Sequence, residues 1–589
     1  MADDAITIPE PTGVLAQRWS LGKLLRLSAL FGPAAILASV SIGAGETIVV
    51  VQTGSWAGYQ LLWLVVASVI TKGICVTYLL GRYTAVSGEP IGQRLVRVPG
   101  PRGWLLLAII FLELSAAGPL WAAIARPSGE LIHYVLTDFA GSAAAGTLVA
   151  NAPIWKAIFG TSFILAALLL GIGQTFAVLE KQQIAICLVL VLGTIAGTLM
   201  VRPDFAAALA GMLRFGHVPR DVPAWAPTAA RDDWLLSVVT TFGYVGGSVM
   251  TYIAYANFVG VHRWGLCAHQ NIDAIRRRAA AGMPADYLPN DTVQARRLRG
   301  LLLPLKCDAG MGAFVLWIVS SAFMIAGATV LLPRLASGEL TDVFNGWSLL
   351  TDQGHIWRSI HPALVWVYYV CVVAALWGTV QSYPEIYTSV THDFLSAIWP
   401  ERPLSRHKLR LAIAVYVFAM AVPLVWIDVS FTTLTGIVAF LATGAGVALA
   451  MLAALYLDRQ LPPLYRTRTW FFALCALSAL TLTIASAISG WSLWQQLMAT
   501  SRSTARAASL PWPDPTRGVE AAPLAGLRDA IPDAVLVATV RMTGERPHVD
   551  SRIGEEWLVP EMGAGLLVFE QQCQRPAAAA ATVRMMVAQ

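Results

Sequence analysis

Charge is scarce in this chain. Asp, Glu, Lys and Arg make up 13% of its 589 residues, about half the ~25% of an ordinary soluble domain. The chain is instead 56% hydrophobic, with several apolar runs longer than the ~18 residues that cross a bilayer. A soluble globular domain is thereby excluded, and a polytopic membrane protein is expected. Its seven cysteines contain no Cys-x-x-Cys pair, so neither a zinc module nor a disulfide framework is indicated. There is no Walker loop, nucleophile elbow or zincin helix, so ATP-driven or hydrolytic chemistry has no support and no enzyme is expected. The first twenty residues lack an apolar h-region and a cleavage site, so the first spanning helix is expected to act as its own insertion signal.

The apolar runs read as eleven spans, roughly 28–52, 58–81, 104–125, 155–174, 178–201, 234–261, 307–333, 362–391, 409–427, 432–457 and 469–491. With residues 1–27 inside, the segments on that side collect most of the basic residues. The loop 263–306 alone carries Arg263, Arg276, Arg277, Arg278, Arg296, Arg297, Arg299 and Lys306. The positive-inside rule then places the N-terminus and this loop in the cytoplasm. The preference for arginine over lysine suggests a bacterial source, hence an inner membrane. The same clusters need no nucleic-acid partner. The loop reads either as a pair of surface helices or as a solvated connector. Residues 28–491 form the membrane domain, and an odd number of spans leaves 492–589 outside. That tail opens Ser/Thr/Ala/Pro-rich and holds two β-like runs, Ala534 to Val540 and Leu566 to Phe569. It reads as a partly disordered segment or a small mixed module.

Glycine breaks two of the apolar segments at their middles. The first break is Ser41-Ile42-Gly43-Ala44-Gly45-Glu46, and the second is Gly243-Tyr244-Val245-Gly246-Gly247-Ser248. The two sit at matching places in the two halves of the chain. Paired interruptions of this kind mark the substrate site of secondary transporters built from inverted repeats, because unwound backbone in a bilayer must find a ligand, water or protein as partner. The spans can be superposed as helices one to five on six to ten, with the eleventh added. An all-α architecture with a five-plus-five inverted repeat is therefore expected.

Acidic and basic side chains inside spans cost roughly 2.5–3.5 kcal/mol or more and call for a function or a partner. Glu46 lies at the first break, Lys72 in the second span and Glu113 in the third. They read as a cation ligand and its coupling groups, or as a Glu46–Lys72 or Glu113–Lys72 ion pair that holds helices together. Met250 follows the second break and offers a thioether to a soft or borderline metal such as Mn²⁺ or Fe²⁺. Tyr252, Tyr255 and Asn257 follow it as supporting or gate groups, or as core. In the eighth span Gln381 and Glu385 share one face beside Pro384, facing a cavity or a partner helix. His355 and His361 fall in an outer loop.

At these residues the chain resembles the Nramp family of divalent-metal transporters. The similarity runs through Gly32-Pro33, Ile42-Gly43-Ala44-Gly45-Glu46, Gln52-Thr53-Gly54 and Gly58 to Trp63, and again through Val245 to Tyr252. It implies a LeuT-type fold and transition-metal import, usually with protons. The family's Asp-Pro-Gly-Asn stands here as Gly43-Ala44-Gly45-Glu46, and its Met-Pro-His as Met250-Thr251-Tyr252. Glu113 matches a family acid, while Leu120 and Ala123 replace two acids tied to proton passage. Shifting the carboxylate from position 43 to 46 moves it about one helical turn. An unwound segment can still aim it at the same cavity.

A divalent-metal site of Glu46, Met250 and the backbone at Ile42, Gly43 and Gly247 is therefore expected, with Tyr252 beside it. Glu113, Lys72, Gln381 and Glu385 are its coupling or supporting groups. The metal is substrate, and no cofactor is expected. Two alternatives remain: an amino-acid-type solute carrier on the same fold, and a membrane receptor or scaffold that does not transport.

Overall fold

The computed structural model describes residues 6–509 except 44, 140–145, 147, 220, 227–230, 232–233, 340–348, 428 and 430. In the tail it describes 535–536, 540–543, 546–549 and 557–558. The chain divides into two compact units, Met1–Trp491 and Ser492–Gln589.

The first unit is helical. Its principal helices are α1 (Leu21–Ser28), α2 (Pro33–Ser41), α3 (Val51–Ala57), α4 (Leu62–Ser87), α5 (Trp104–Phe139), α6 (Ala152–Gly173) and α7 (Phe176–Val201). There follow α8 (Trp234–Tyr244), α9 (Val249–Val261), α10 (Ile272–Ala281), α11 (Thr292–Leu301), α12 (Leu303–Ala336) and α13 (Leu349–Ile360). The last four are α14 (Pro362–Ile398), α15 (Arg406–Trp426), α16 (Thr433–Gln460) and α17 (Thr469–Ser509), of which α17 belongs to this unit only as far as Trp491. Ten helices among the described residues are long and apolar enough to cross a membrane, or up to eleven if α1 and α2, bent by 68° at Ala29–Gly32, count as one span. The polytopic, mostly helical architecture is as expected from the apolar runs.

Burial sorts these helices. The α8–α9 segment is 83% buried and α4 is 72% buried, against 22% for α7 and 28% for α15 and α17. The broken segment is therefore central, and α7, α15 and α17 turn apolar faces outward, as lipid-facing helices do. Close backbone packing fixes the first broken segment on α12. A Cβ on Gly54 would lie 2.1 Å from the Met324 carbonyl, and one on Gly327 would lie 2.1 Å from the Val51 carbonyl. Gly327→Ala is accordingly expected to destabilise the protein by about 1–3 kcal/mol, read as a lower thermal midpoint. An unshifted melting curve would show that the helices do not touch there.

The structure decides three readings. Of the two open for the loop 263–306, the helix pair holds and the solvated connector does not. Its α10 and α11 bury Ile275, Ala279, Ala295 and Leu298. The N-terminal segment packs on it: Ile6 N donates to Tyr287 O at 3.0 Å, Ile8 N to Gln294 Oε1 at 2.8 Å, and Glu10 pairs with Arg297 at 2.5 Å. Tyr287 Oη in turn donates to Glu89, and burial followed by that carboxylate pushes the Tyr287 hydroxyl above the ordinary tyrosine range. Second, α17 continues to Ser509, past the expected end of the last span. Residues 492–509 carry no proline or glycine and include four Ala with two each of Gln, Leu and Arg, which favours helix. Third, the segment around His355 is the helix α13, and His361 caps α14 by accepting from Ala363 N at 3.1 Å.

In the second unit, Val535–Leu536 pairs antiparallel with Trp557–Leu558, and Val540–Thr543 with Arg546–Val549. The run Leu566 to Phe569 lies outside the described residues.

Candidate functional site

Both segments are interrupted where the glycines fall. After α2, Ile42 leaves the helical region (φ −85°, ψ 73°), and the chain resumes as a π-helical turn over Gly45–Val50 before α3. After α8, residues 245–248 are non-helical, with Gly246 at φ +110°, a conformation that disfavours any side chain. The two interruptions touch. A Cβ on Gly45 would stand 2.6 Å from Tyr244 Cδ1.

Glu46 joins them. It is fully buried, its Oε2 accepts from Gly43 N at 3.3 Å, and its Oε1 accepts from Gly246 N at 3.1 Å. The carboxylate thus reaches back three residues to the start of the first break while also bonding the second. Glu113 sits at the adjacent helix start. Its Oε2 accepts from Met250 N at 3.2 Å in the first turn of α9, and its buried Oε1 has no hydrogen-bond partner among the described residues. Tyr252 Oη accepts from Gly247 N at 2.8 Å. Three amides at the entrance to α9 are thereby matched by two acids and a phenol, and the positive end of that half-helix faces negative charge.

The other half-helix end is treated oppositely. Lys72 Nζ, fully buried, donates to the carbonyls of Phe242 and Gly243, both at 2.7 Å. One turn earlier on α4, the single Ser68 hydroxyl proton is shared between Val245 O at 2.6 Å and Phe242 O at 2.9 Å. The carbonyls at the C-terminus of α8, its negative end, are therefore answered by a lysine and a serine.

Six of the expected site residues, Ile42, Gly43, Glu46, Gly247, Met250 and Tyr252, come together at the paired breaks, and Glu113 and Lys72 join them. Met250 is completely buried. Gln381 and Glu385 do not join. Gln381 Nε2 donates to Gln174 and Gln182, and Glu385 pairs with Arg406 and with Arg410. Among the described residues no three His, Cys, Asp or Glu side chains cluster as a metal site. A cation here would rest on one or two carboxylates with neutral donors.

Two contributors were not read from the sequence. Asp308 on α12 is fully buried, and it accepts from Gly32 N at 2.9 Å, Ala34 N at 3.0 Å and Tyr255 Oη at 3.0 Å. It caps α2 and ties it to α9. A lone acid within an apolar span is the same signal that picked out Glu46 and Glu113. Ser68 carried no signal, since a serine in a spanning helix is ordinary.

A family model described as natural resistance-associated macrophage protein-like (Nramp) matches residues 34–494, which include both breaks. The chain belongs to the Nramp family. The resemblance drawn from the glycine motifs is borne out. No curated relative matches this Nramp chain. Among solved structures it is similar to the manganese transporter of Eremococcus coleocola. A glutamate-to-glutamine mutant of that protein is 14% identical with a TM-score of 0.53, over 83% of this chain and 89% of that one. A histidine-to-alanine mutant gives the same identity and score over 84% and 91%. A complex of that transporter with an aromatic bis-isothiourea compound gives 14% and 0.52, again over 84% and 91%. At this identity the likeness establishes a shared fold. Relative to the Nramp pattern, Glu46 occupies the asparagine position, yet its carboxylate returns to the amide of Gly43, at the aspartate position.

Proposed function

We propose that the protein is a secondary transporter that moves a divalent metal cation across the membrane by alternating access. Its fold is the LeuT-type five-plus-five repeat with an eleventh helix. Glu46 and Met250 form the substrate site with the unwound backbone at Ile42, Gly43 and Gly247, and Tyr252 stands beside it. The observation that carries this reading is the Glu46 carboxylate bonded to both breaks at once. One acid between two interrupted helices gives a cation a charged ligand in a region where unwound backbone is otherwise costly. Membership in the Nramp family and the fold shared with a manganese transporter support the same cargo. The amino-acid-type alternative needs free amides at a half-helix start to hold a carboxylate. Here the Gly246, Gly247 and Met250 amides are already bonded to Glu46, Tyr252 and Glu113. The protein resides in a bacterial inner membrane, with its N-terminus and the loop 263–306 in the cytoplasm and the tail outside, in line with the positive-inside rule.

Uptake by proteoliposomes across a panel of Mn²⁺, Fe²⁺, Mg²⁺ and Ca²⁺ tests this, with internal pH followed for proton coupling. Accumulation of none of the four ions would overturn it. On the same panel Met250→Ala is expected to weaken Mn²⁺ more than Mg²⁺, because a thioether favours the softer ion. Equal losses would remove the sulfur from the site.

A further inference from the structure

A transporter of this architecture leaves the carbonyl end of one half-helix and the amide end of the other open toward its cargo. Here the carbonyl end is already filled by a cation that belongs to the protein. Lys72 Nζ stands 2.7 Å from both the Phe242 and the Gly243 carbonyls, and it also faces the Phe242 ring at 5.3 Å from the centroid. It reaches the gap itself, since a Cβ placed on Gly246 would lie 3.3 Å from Lys72 Cε and 3.6 Å from Nζ. Gly246 is the residue whose amide bonds Glu46 at 3.1 Å. The amino group and the carboxylate thus flank the same glycine without needing each other as hydrogen-bond partners, because each has backbone partners of its own.

From this we infer that Lys72 is a built-in competitor for the transported cation: its ammonium occupies the carbonyl pair of Phe242 and Gly243, and a divalent metal gains those oxygens only by displacing it. This rests on the reading of the breaks as a divalent-cation site. Backbone carbonyls at a helix C-terminus suit a metal ion as well as an ammonium, and two cations at one carbonyl pair repel. Metal binding is therefore linked to movement of the Lys72 side chain, and α4, which carries it, senses whether the site is loaded. The resident charge also sets selectivity. A divalent ion displaces a single positive charge more readily than a monovalent ion does, because its attraction to the carbonyls and to Glu46 is about twice as large.

The test compares purified full-length wild type with Lys72→Met, which keeps most of the side-chain length and removes the charge, and with Lys72→Gln, which removes the charge without adding a thioether to the site. Mn²⁺ and Na⁺ binding are measured by calorimetry, and Mn²⁺ uptake in proteoliposomes. Lys72→Met is expected to bind Mn²⁺ at least tenfold more tightly, to lose discrimination against Na⁺, and to take up Mn²⁺ more slowly because a retained ion leaves slowly. Ser68→Ala removes the neighbouring hydroxyl from the same carbonyl and leaves the ammonium. It is expected to lower the melting temperature without tightening Mn²⁺. A gain in Lys72→Met that is absent from Lys72→Gln, which retains N–H donors for the carbonyls, would belong to the added thioether and would overturn this proposal. Wild-type binding that is unchanged or weakened in the lysine variants overturns this proposal alone and leaves Lys72 as a strut. Absence of divalent binding from every one of these proteins overturns both this proposal and the transport reading beneath it.

Discussion

Glu46→Gln is expected to abolish metal transport, with Mn²⁺ affinity lowered about 100-fold or more. Glutamine preserves the size of the side chain and removes its charge. Both carboxylate oxygens accept backbone amides, one from each break. A carboxamide offers one oxygen and one NH₂, so one of those amides would face another donor. Hydrogen bonds to a charged group are worth about 1.5–3 kcal/mol, and leaving a buried donor unmatched costs a similar amount. Those bonds bear on stability; the affinity falls because the cation loses a charged ligand, and a loss near 3 kcal/mol corresponds to roughly 100-fold. Calorimetry with Mn²⁺ supplies the measurement, alongside thermal stabilisation by the ion, which should vanish in the variant. Glu46→Gln protein that still binds Mn²⁺ like the wild type would remove the carboxylate from the site and with it the central argument for a cation as cargo.

The second large effect is expected at Asp308, whose two oxygens serve three donors on two other helices. Asp308→Asn keeps one acceptor oxygen. Either the Gly32 amide, or the Ala34 amide together with the Tyr255 hydroxyl, then loses its acceptor. A destabilisation of about 3 kcal/mol is expected on the same scale, with Mn²⁺ uptake falling in parallel because α2 loses its tie to α9. Asp308→Ala should be worse, since no acceptor remains. The check is the thermal midpoint of each variant followed by uptake at matched protein density. Wild-type stability in both would mean that the start of α2 is held by something other than this carboxylate.

The paired breaks were legible in the sequence because their cause is local. Gly43, Gly45, Gly246 and Gly247 interrupt apolar helices whatever surrounds them, and apolar length delimits the spans without knowledge of packing. Partners were less legible. Charge alone suggested that Lys72 would pair with Glu46 or Glu113, yet it bonds the Phe242 and Gly243 carbonyls. Every residue has a carbonyl, and the sequence does not say which of them a break will expose. Glu385 likewise invited a place near the cargo, while its real partners, Arg406 and Arg410, arrive from the next helix. The arginines of the loop 263–306 left a solvated connector open beside a helix pair. The N-terminal segment lies across the folded loop, and no periodicity within either piece records that contact.

The crossing of α3 on α12 has a mechanical corollary. Main chain meets main chain at Gly54 and Gly327, so sliding along the axis would drive bulkier neighbours into the crossing. Rotation about the crossing is the less obstructed motion, and the crossing would serve it as a fulcrum. Gly45 lies nine residues from Gly54, about 13 Å along a helix, and a turn of about 10° at the fulcrum would sweep the Glu46 end of the lever by roughly 2 Å, close to a metal–ligand bond length.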